Sequence, residues 1–181
     1  MYGAHIVLAG RARRARGSLI MTTPTTPCLW FDGDAEEAAE FYVSVFPDSR
    51  ITGVQKIVDA DHPTGMPVGS VLAISFELEG RPFFALNGGP GFPFTQAVSF
   101  QTFCATQAEL DARWDALVEG GEPVQCSWLV DRFGLNWQVV PQAYADAVAS
   151  GDQDVIGRVH AALLTMVKPD VAAIEAAARG E

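Results

Sequence analysis

The stretch Cys28-Leu-Trp-Phe-Asp-Gly-Asp-Ala-Glu-Glu-Ala-Ala-Glu-Phe-Tyr-Val-Ser-Val45 changes its hydrophobic period once, and that change decides the fold. Cys28 to Phe31 is a short apolar run closed by Asp32-Gly33, which predicts a buried strand. Asp34 then stands at the N-cap of a helix, with Glu36 and Glu37 in the first turn, where the helix dipole favours acids. Ala38, Phe41, Tyr42 and Val45 recur at helical spacing and form its apolar face. Phe46-Pro47-Asp48-Ser49 ends the helix. Strands are expected next near residues 50–57, 70–79 and 82–87, the last two joined as a hairpin by Glu79-Gly80-Arg81.

Asn87-Gly-Gly-Pro-Gly-Phe-Pro-Phe94 breaks any ladder with its glycines and prolines and reads as a connector. The order then restarts, with a strand expected over 97–103, a helix over 107–118, and strands near 123–130 and 135–140. Laying Phe31 on Phe103 also lays Glu37 on Glu109, Tyr42 on Trp114 and Val45 on Leu117. Asp34 falls on Thr106, and both residue types cap helices. The sequence therefore predicts an α+β fold of two βαβββ modules, at about 24–88 and 96–141. Placed edge to edge, their sheets would form a half-barrel cup with a concave pocket. Residues 142–181 read as a C-terminal helical extension, broken at Ser150-Gly151-Asp152 and at Lys168-Pro169-Asp170.

The 181 residues suit one domain, and 49% hydrophobic with 19% charged residues fits a compact globule. A formal charge of −10 disfavours a nucleic-acid partner. Cys28, Cys104 and Cys126 form no CxxC pair, so free thiols and a cytoplasmic location are expected. No apolar run reaches the roughly 18 residues of a membrane span. Residues 1–21 concentrate Arg11, Arg13, Arg14 and Arg16 and contain no acid. They are expected to be a disordered or mis-assigned extension ending at a second start, Met21.

Several motifs together resemble the PhnB-like branch of the vicinal-oxygen-chelate superfamily, which includes glyoxalases, bleomycin-resistance proteins and dioxygenases. They are Leu29-Trp-Phe-Asp-Gly33, Glu37-Ala-Ala-Glu-Phe-Tyr42, Val45-Phe-Pro-Asp-Ser49, Ala85-Leu-Asn-Gly-Gly-Pro90, Ala97-Val-Ser-Phe100 and Asp131-Arg-Phe-Gly-Leu-Asn-Trp-Gln-Val-Val-Pro141. Members of this branch often carry the label 3-demethylubiquinone-9 3-methyltransferase. The sequence offers no Gly-rich strand–helix turn followed by an acid, the usual arrangement for a nucleotide-like methyl donor.

Metal-using members of the superfamily that the chain resembles hold a divalent ion with His and Glu from four strands of the cup, and their pattern implies where those ligands would fall here. Counting back from Asp34 places the first ligand position at Pro27, and the repeat carries it to Ser99. Counting on from the hairpin glycines Gly80 and Gly134 gives Phe84 and Gln138. Proline and phenylalanine have no donor, and serine and glutamine are weak neutral ligands, so no metal and no cofactor are expected. His5, His62 and His160 lie away from these positions.

The candidate ligand-binding residues are Phe31, Phe84, Asn87, Ser99, Cys126 and Gln138. Gln138 can donate and accept, and either orients a ligand or ties down backbone. Ser99 has no nearby His to activate it as a nucleophile. Asn87 either touches a ligand or fixes the turn before the connector. Cys126 lies on a late strand with no basic neighbour to lower its pKa. Phe31 and Phe84 are assigned to the cup by parity, with Trp30 and Trp137 on the opposite face. The resulting expectation is a metal-independent small-molecule binding protein. The alternative is a metal-independent enzyme acting on an aromatic or carbonyl substrate. The resemblance also implies a homodimer, and the repeat Val155, Val159, Ala162, Leu163, Met166 supplies a helix face that must be buried.

Overall fold

The computed structural model describes residues 25–181, so the expectations about the N-terminal extension lie outside the described residues. The first module runs β1 (Cys28–Phe31), α1 (Ala35–Val45), β2 (Arg50–Lys56), β3 (Val71–Leu78) and β4 (Arg81–Asn87). The second runs β5 (Phe100–Cys104), α2 (Gln107–Val118), β6 (Glu122–Pro123), β7 (Trp128–Val130) and β8 (Asn136–Pro141). The sheets have matching orders, β1-β4-β3-β2 and β5-β8-β7-β6. In each, the first strand pairs parallel with the last and the others pair antiparallel. The fold is thus α+β with two βαβββ units.

The second module is less regular than its sequence suggests. The strand expected over 97–103 begins at Phe100, leaving Ala97 to Ser99 outside the ladder. The strand expected over 123–130 is divided into β6 and β7. Between them Cys126 and Ser127 both hold positive φ, at 62° and 69°, which no ladder accommodates.

The two halves of the cup are joined by side-chain packing rather than by a shared ladder. No strand of one sheet pairs with a strand of the other. Instead each sheet turns its apolar face toward α1 and α2, and a single core holds both. Phe83 of β4 meets Phe100 of β5 edge-on, with ring centroids 5.2 Å apart. Tyr42 of α1 lies 6.4 Å from Phe76 of its own sheet and 5.4 Å from Trp137 of the other. Phe46 stacks on Trp137 at 5.1 Å. Strand alternation then directs the remaining face of each sheet away from the shared core.

Two polar clamps join the modules within this core. The buried carboxylate of Asp131 accepts from Tyr42 Oη at 2.8 Å, Trp137 Nε1 at 2.8 Å, and the backbone N–H groups of Phe133 and Leu135 at 2.9 and 3.0 Å. The buried guanidinium of Arg113 donates to Thr102, pairs with Glu109 at 3.2 Å and Glu79 at 3.3 Å, and lies over the Phe46 ring. Glu79 belongs to the first module's hairpin, so this clamp also crosses between units.

Beyond β8 come α3 (Gln142–Ser150), α4 (Gln153–Leu163) and α5 (Val171–Arg179), which share a small core of their own. Val159 and Leu163 are buried there with Ala147 and Ile174, and Val155, Ala162 and Met166 pack around them. The apolar face of α4 is therefore covered within the chain and supplies no motive for a dimer. The linker between α4 and α5 is tied back to the second module. Met166 and Val167 carbonyls accept from the N–H groups of Cys126 and Ser127, and Lys168 pairs with Asp111 and Asp115. No helix among the described residues is long and apolar enough to cross a membrane.

Candidate functional site

The strand register identifies which side chains share each open face. Cys28 lies beside Phe84 and Trp30 beside Leu86 across the parallel β1–β4 pair, while Ser75 of β3 flanks Phe84 on its other side. In the second sheet the equivalent row is Gln101 beside Gln138, with Trp128 of β7 on the far side. The parity of the first strand thus differs from the expectation. Cys28, not Pro27, is the neighbour of Phe84, and Gln101, not Ser99, is the ladder partner of Gln138. The cause is a loop-length difference, because three residues separate β1 from α1 and two separate β5 from α2. Aligning the helices therefore misaligns the strands by one residue, and a one-residue slip reverses the faces.

Phe31 and Phe84 consequently do not share a face. Phe31 is paired with Asn87, sits 3% exposed in the core, and contacts Phe94 and Phe133. Trp30 lies on the open face that was assigned to Phe31, while Trp137 is buried as expected. Phe84 and Gln138 occupy corresponding positions, but on the open faces of different sheets.

Ser99 and Gln138 do meet. Gln138 Nε2 donates to Ser99 Oγ at 2.7 Å, and Gln138 Oε1 accepts from Gln101 Nε2 at 3.0 Å. The result is a neutral polar row, Gln101–Gln138–Ser99, on a part-exposed surface. Its free lone pair on Gln138 and the second N–H groups of both amides remain for a further partner. Gln101 was missed because its parity depends on the register of a parallel pair, which sequence periodicity leaves open.

Asn87 is committed to the fold. Its Oδ1 accepts from the N–H of Ala35 at 2.9 Å and its Nδ2 donates to the Val71 carbonyl at 2.9 Å. Asp34 occupies the N-cap position of α1 but makes no side-chain cap bond, so Asn87 performs that task from across the module. Asn87→Ala is expected to cost about 1–2 kcal/mol through the lost cap and the orphaned carbonyl. Calorimetry should show Tm lower by about 4 °C, and an unchanged Tm would contradict the cap assignment.

Cys126 lies off the strand, with its thiol 4.0 Å from the Leu164 carbonyl at the junction with the C-terminal helices. Burial raises the Cys28 thiol pKa above its usual value, and that of Cys104 is pushed up to about 11. All three cysteines are free. Among the described residues no group of three or more His, Cys, Asp or Glu is placed to hold a metal ion.

Two βαβββ units in this order, each with a helix-covered and an open face, define a fold of the glyoxalase and bleomycin-resistance superfamily. Within it, the chain belongs to the family described as 3-demethylubiquinone-9 3-methyltransferase, whose model matches residues 23–140. A PhnB protein from Bacillus cereus is similar at 30% identity and a TM-score of 0.59, over 66% of this chain and 99% of that one. A protein from Pseudomonas aeruginosa is 20% identical, with a TM-score of 0.49, over 66% of this chain and 98% of its own. The fosfomycin resistance protein FosX from Mesorhizobium loti is 11% identical, with a TM-score of 0.46, over 66% and 91% of the two chains. No curated protein matches the chain. The family match ends at the last strand, so α3 to α5 lie outside it.

Proposed function

We propose that this protein binds a small amphipathic organic molecule without a metal ion, in a cup that two copies close between their open sheet faces. The observation that carries this reading is the row Gln101–Gln138–Ser99 on one open face, set against the apolar row of Trp30, Phe84 and Leu86 on the other. Each open face points away from its own chain's core. A partner copy that lays its amide row over the apolar row would supply both halves of an amphipathic site. The dimer would also cover apolar surface that the chain leaves uncovered, such as Phe103, 39% exposed beside the amide row. The groups of these rows orient a ligand rather than move protons. Two amides and a hydroxyl stay neutral near pH 7, and burial keeps the Cys28 side chain as a thiol. That chemistry favours a binding protein over the alternative enzyme on an aromatic or carbonyl substrate.

Thermal-shift screening of a metabolite library on the purified protein, followed by calorimetry, tests the reading. Gln138→Leu should weaken the ligand found about tenfold, roughly 1.4 kcal/mol, with Tm little changed because the side chain is part-exposed. Equal affinity in the variant would remove the amide row from the site. Light scattering at micromolar concentration should give the mass of two chains, and a single-chain mass would leave the cup unclosed.

A further inference from the structure

At the end of β1, where the chain turns toward α1, lies a pocket of about 300 Å³ that adjoins the apolar row at Trp30 and is apart from the amide row. Its walls are aromatic: Trp30, Phe92, Phe94 and Phe133. Trp30 and Phe92 meet edge to face at 5.1 Å with their planes 86° apart, which is a corner rather than a stack. Phe94 is held by an edge contact to Phe31 at 5.2 Å. The indole is fixed at its polar end, where Trp30 Nε1 donates to the Gly89 carbonyl at 2.8 Å. It fits only because residue 88 is glycine, since a Cβ there would lie 2.1 Å from the ring. Two carboxylates, Asp32 and Asp34, complete the rim.

Those carboxylates are uncommitted. Asn87 has taken over the cap of α1, which releases Asp34, and among the described residues neither acid makes a side-chain hydrogen bond or an ion pair. The neighbouring cation, Arg132, lies over the Phe41 ring at 4.1 Å and over the ring of the pocket wall Phe133 at 5.0 Å, with Glu37 at 3.9 Å, and it pairs with neither Asp32 nor Asp34. Aromatic faces carry negative electrostatic potential, and they attract cations most strongly where water is partly excluded. Two free carboxylates beside an aromatic corner add charge of the same sense.

We propose that this pocket is a binding site for a small organic cation, an alkylammonium group seated among Trp30, Phe92, Phe94 and Phe133 and neutralised by Asp32 and Asp34. The site shares Trp30 with the open-face reading, but Phe84, Ser99 and Gln138 take no part in it, and its test reads Phe92, Asp32 and Asp34, none of which belongs to either row.

The test is calorimetric titration of the full chain with choline and with its neutral carbon isostere, 3,3-dimethylbutan-1-ol. Choline should bind saturably and the isostere at least about tenfold more weakly, since only the charge differs. Phe92→Ala removes a wall that is 66% exposed, so the fold should survive, as circular dichroism would verify. That variant, and the double variant Asp32→Asn with Asp34→Asn, should each weaken choline several-fold. Glu119→Gln, which removes one charge at the end of α2, should leave it unchanged. Absence of saturable choline binding, equal binding of the isostere, or unchanged affinity in both pocket variants would overturn the assignment. So would an equal loss in Glu119→Gln, which would mean that the overall acidity of the chain acts rather than the pocket.

Discussion

Asp131→Ala is expected to destabilise the protein by about 3–5 kcal/mol and to lower Tm by about 10–15 °C. The carboxylate collects four donors from three places: α1 through Tyr42, the β7–β8 turn through Phe133 and Leu135, and β8 through Trp137. Alanine leaves the Tyr42 hydroxyl and the Trp137 indole N–H facing apolar neighbours, and each unsatisfied buried donor costs about 1–3 kcal/mol. It also opens the turn that Asp131 closes on itself. Because Tyr42 and Trp137 belong to different modules, the loss should loosen the junction between them. Hydrogen exchange should therefore accelerate in both halves, and a change confined to the β7–β8 turn would show that the clamp is local. Burial raises the Asp131 carboxyl above its ordinary pKa, against the pull of its four donors. A raised folded pKa means that this group's stabilisation is full below the unfolded value and is lost as pH rises through the folded one. The advantage of the parent over the isosteric Asp131→Asn should accordingly be larger near pH 4 than near pH 7. Denaturant melts at the two pH values check the sign.

The order of elements was legible because the period changes are strong. Phe41, Tyr42 and Val45 at helical spacing after a four-residue apolar strand leave little choice, and α1 and α2 begin where their N-cap residues predicted. The side-chain packing that joins the modules was not legible. The contacts that fasten one sheet to the other, such as Phe83 with Phe100 and Tyr42 with Trp137, carry no local signature. The site suffered from the same cause at smaller scale. The extra loop residue between Phe31 and Ala35 shifts the strand register relative to the helix register, so parity transferred through the repeat placed Phe31 on the wrong face. Gln138 and Phe84 do fall on open faces, because they were counted from hairpin glycines, Gly134 and Gly80, close to them in the chain. Asp131 was readable in part, since an Asp three residues before a Gly favours a self-bonded turn. Its long-range partners were not.

Gly121→Ala should be comparably severe, for a steric reason that ends at the same clamp. A Cβ on residue 121 would lie 2.0 Å from the Val130 carbonyl oxygen and 2.9 Å from both the Cα and the carbonyl carbon of Asp131. These are backbone atoms, so no side chain can swing aside to make room. The Val130 strand end is held by pairing to Glu122 on one side and Asn136 on the other, and the next residue is the four-donor carboxylate. Relief requires β7 to move away from the α2–β6 turn, which would draw Asp131 off Tyr42. Overpacking of this kind costs about 1–3 kcal/mol where neighbours can adjust and more where they cannot, so a loss of about 3 kcal/mol or more is expected. Because both substitutions act on one strand end, their effects should not add. The double variant Gly121→Ala with Asp131→Ala should be less destabilised than the sum, by at least about 1 kcal/mol. Strict additivity in denaturant melts would show that the glycine and the carboxylate act on separate parts of the fold, and a Tm within a degree of the parent for Gly121→Ala alone would refute the contact itself.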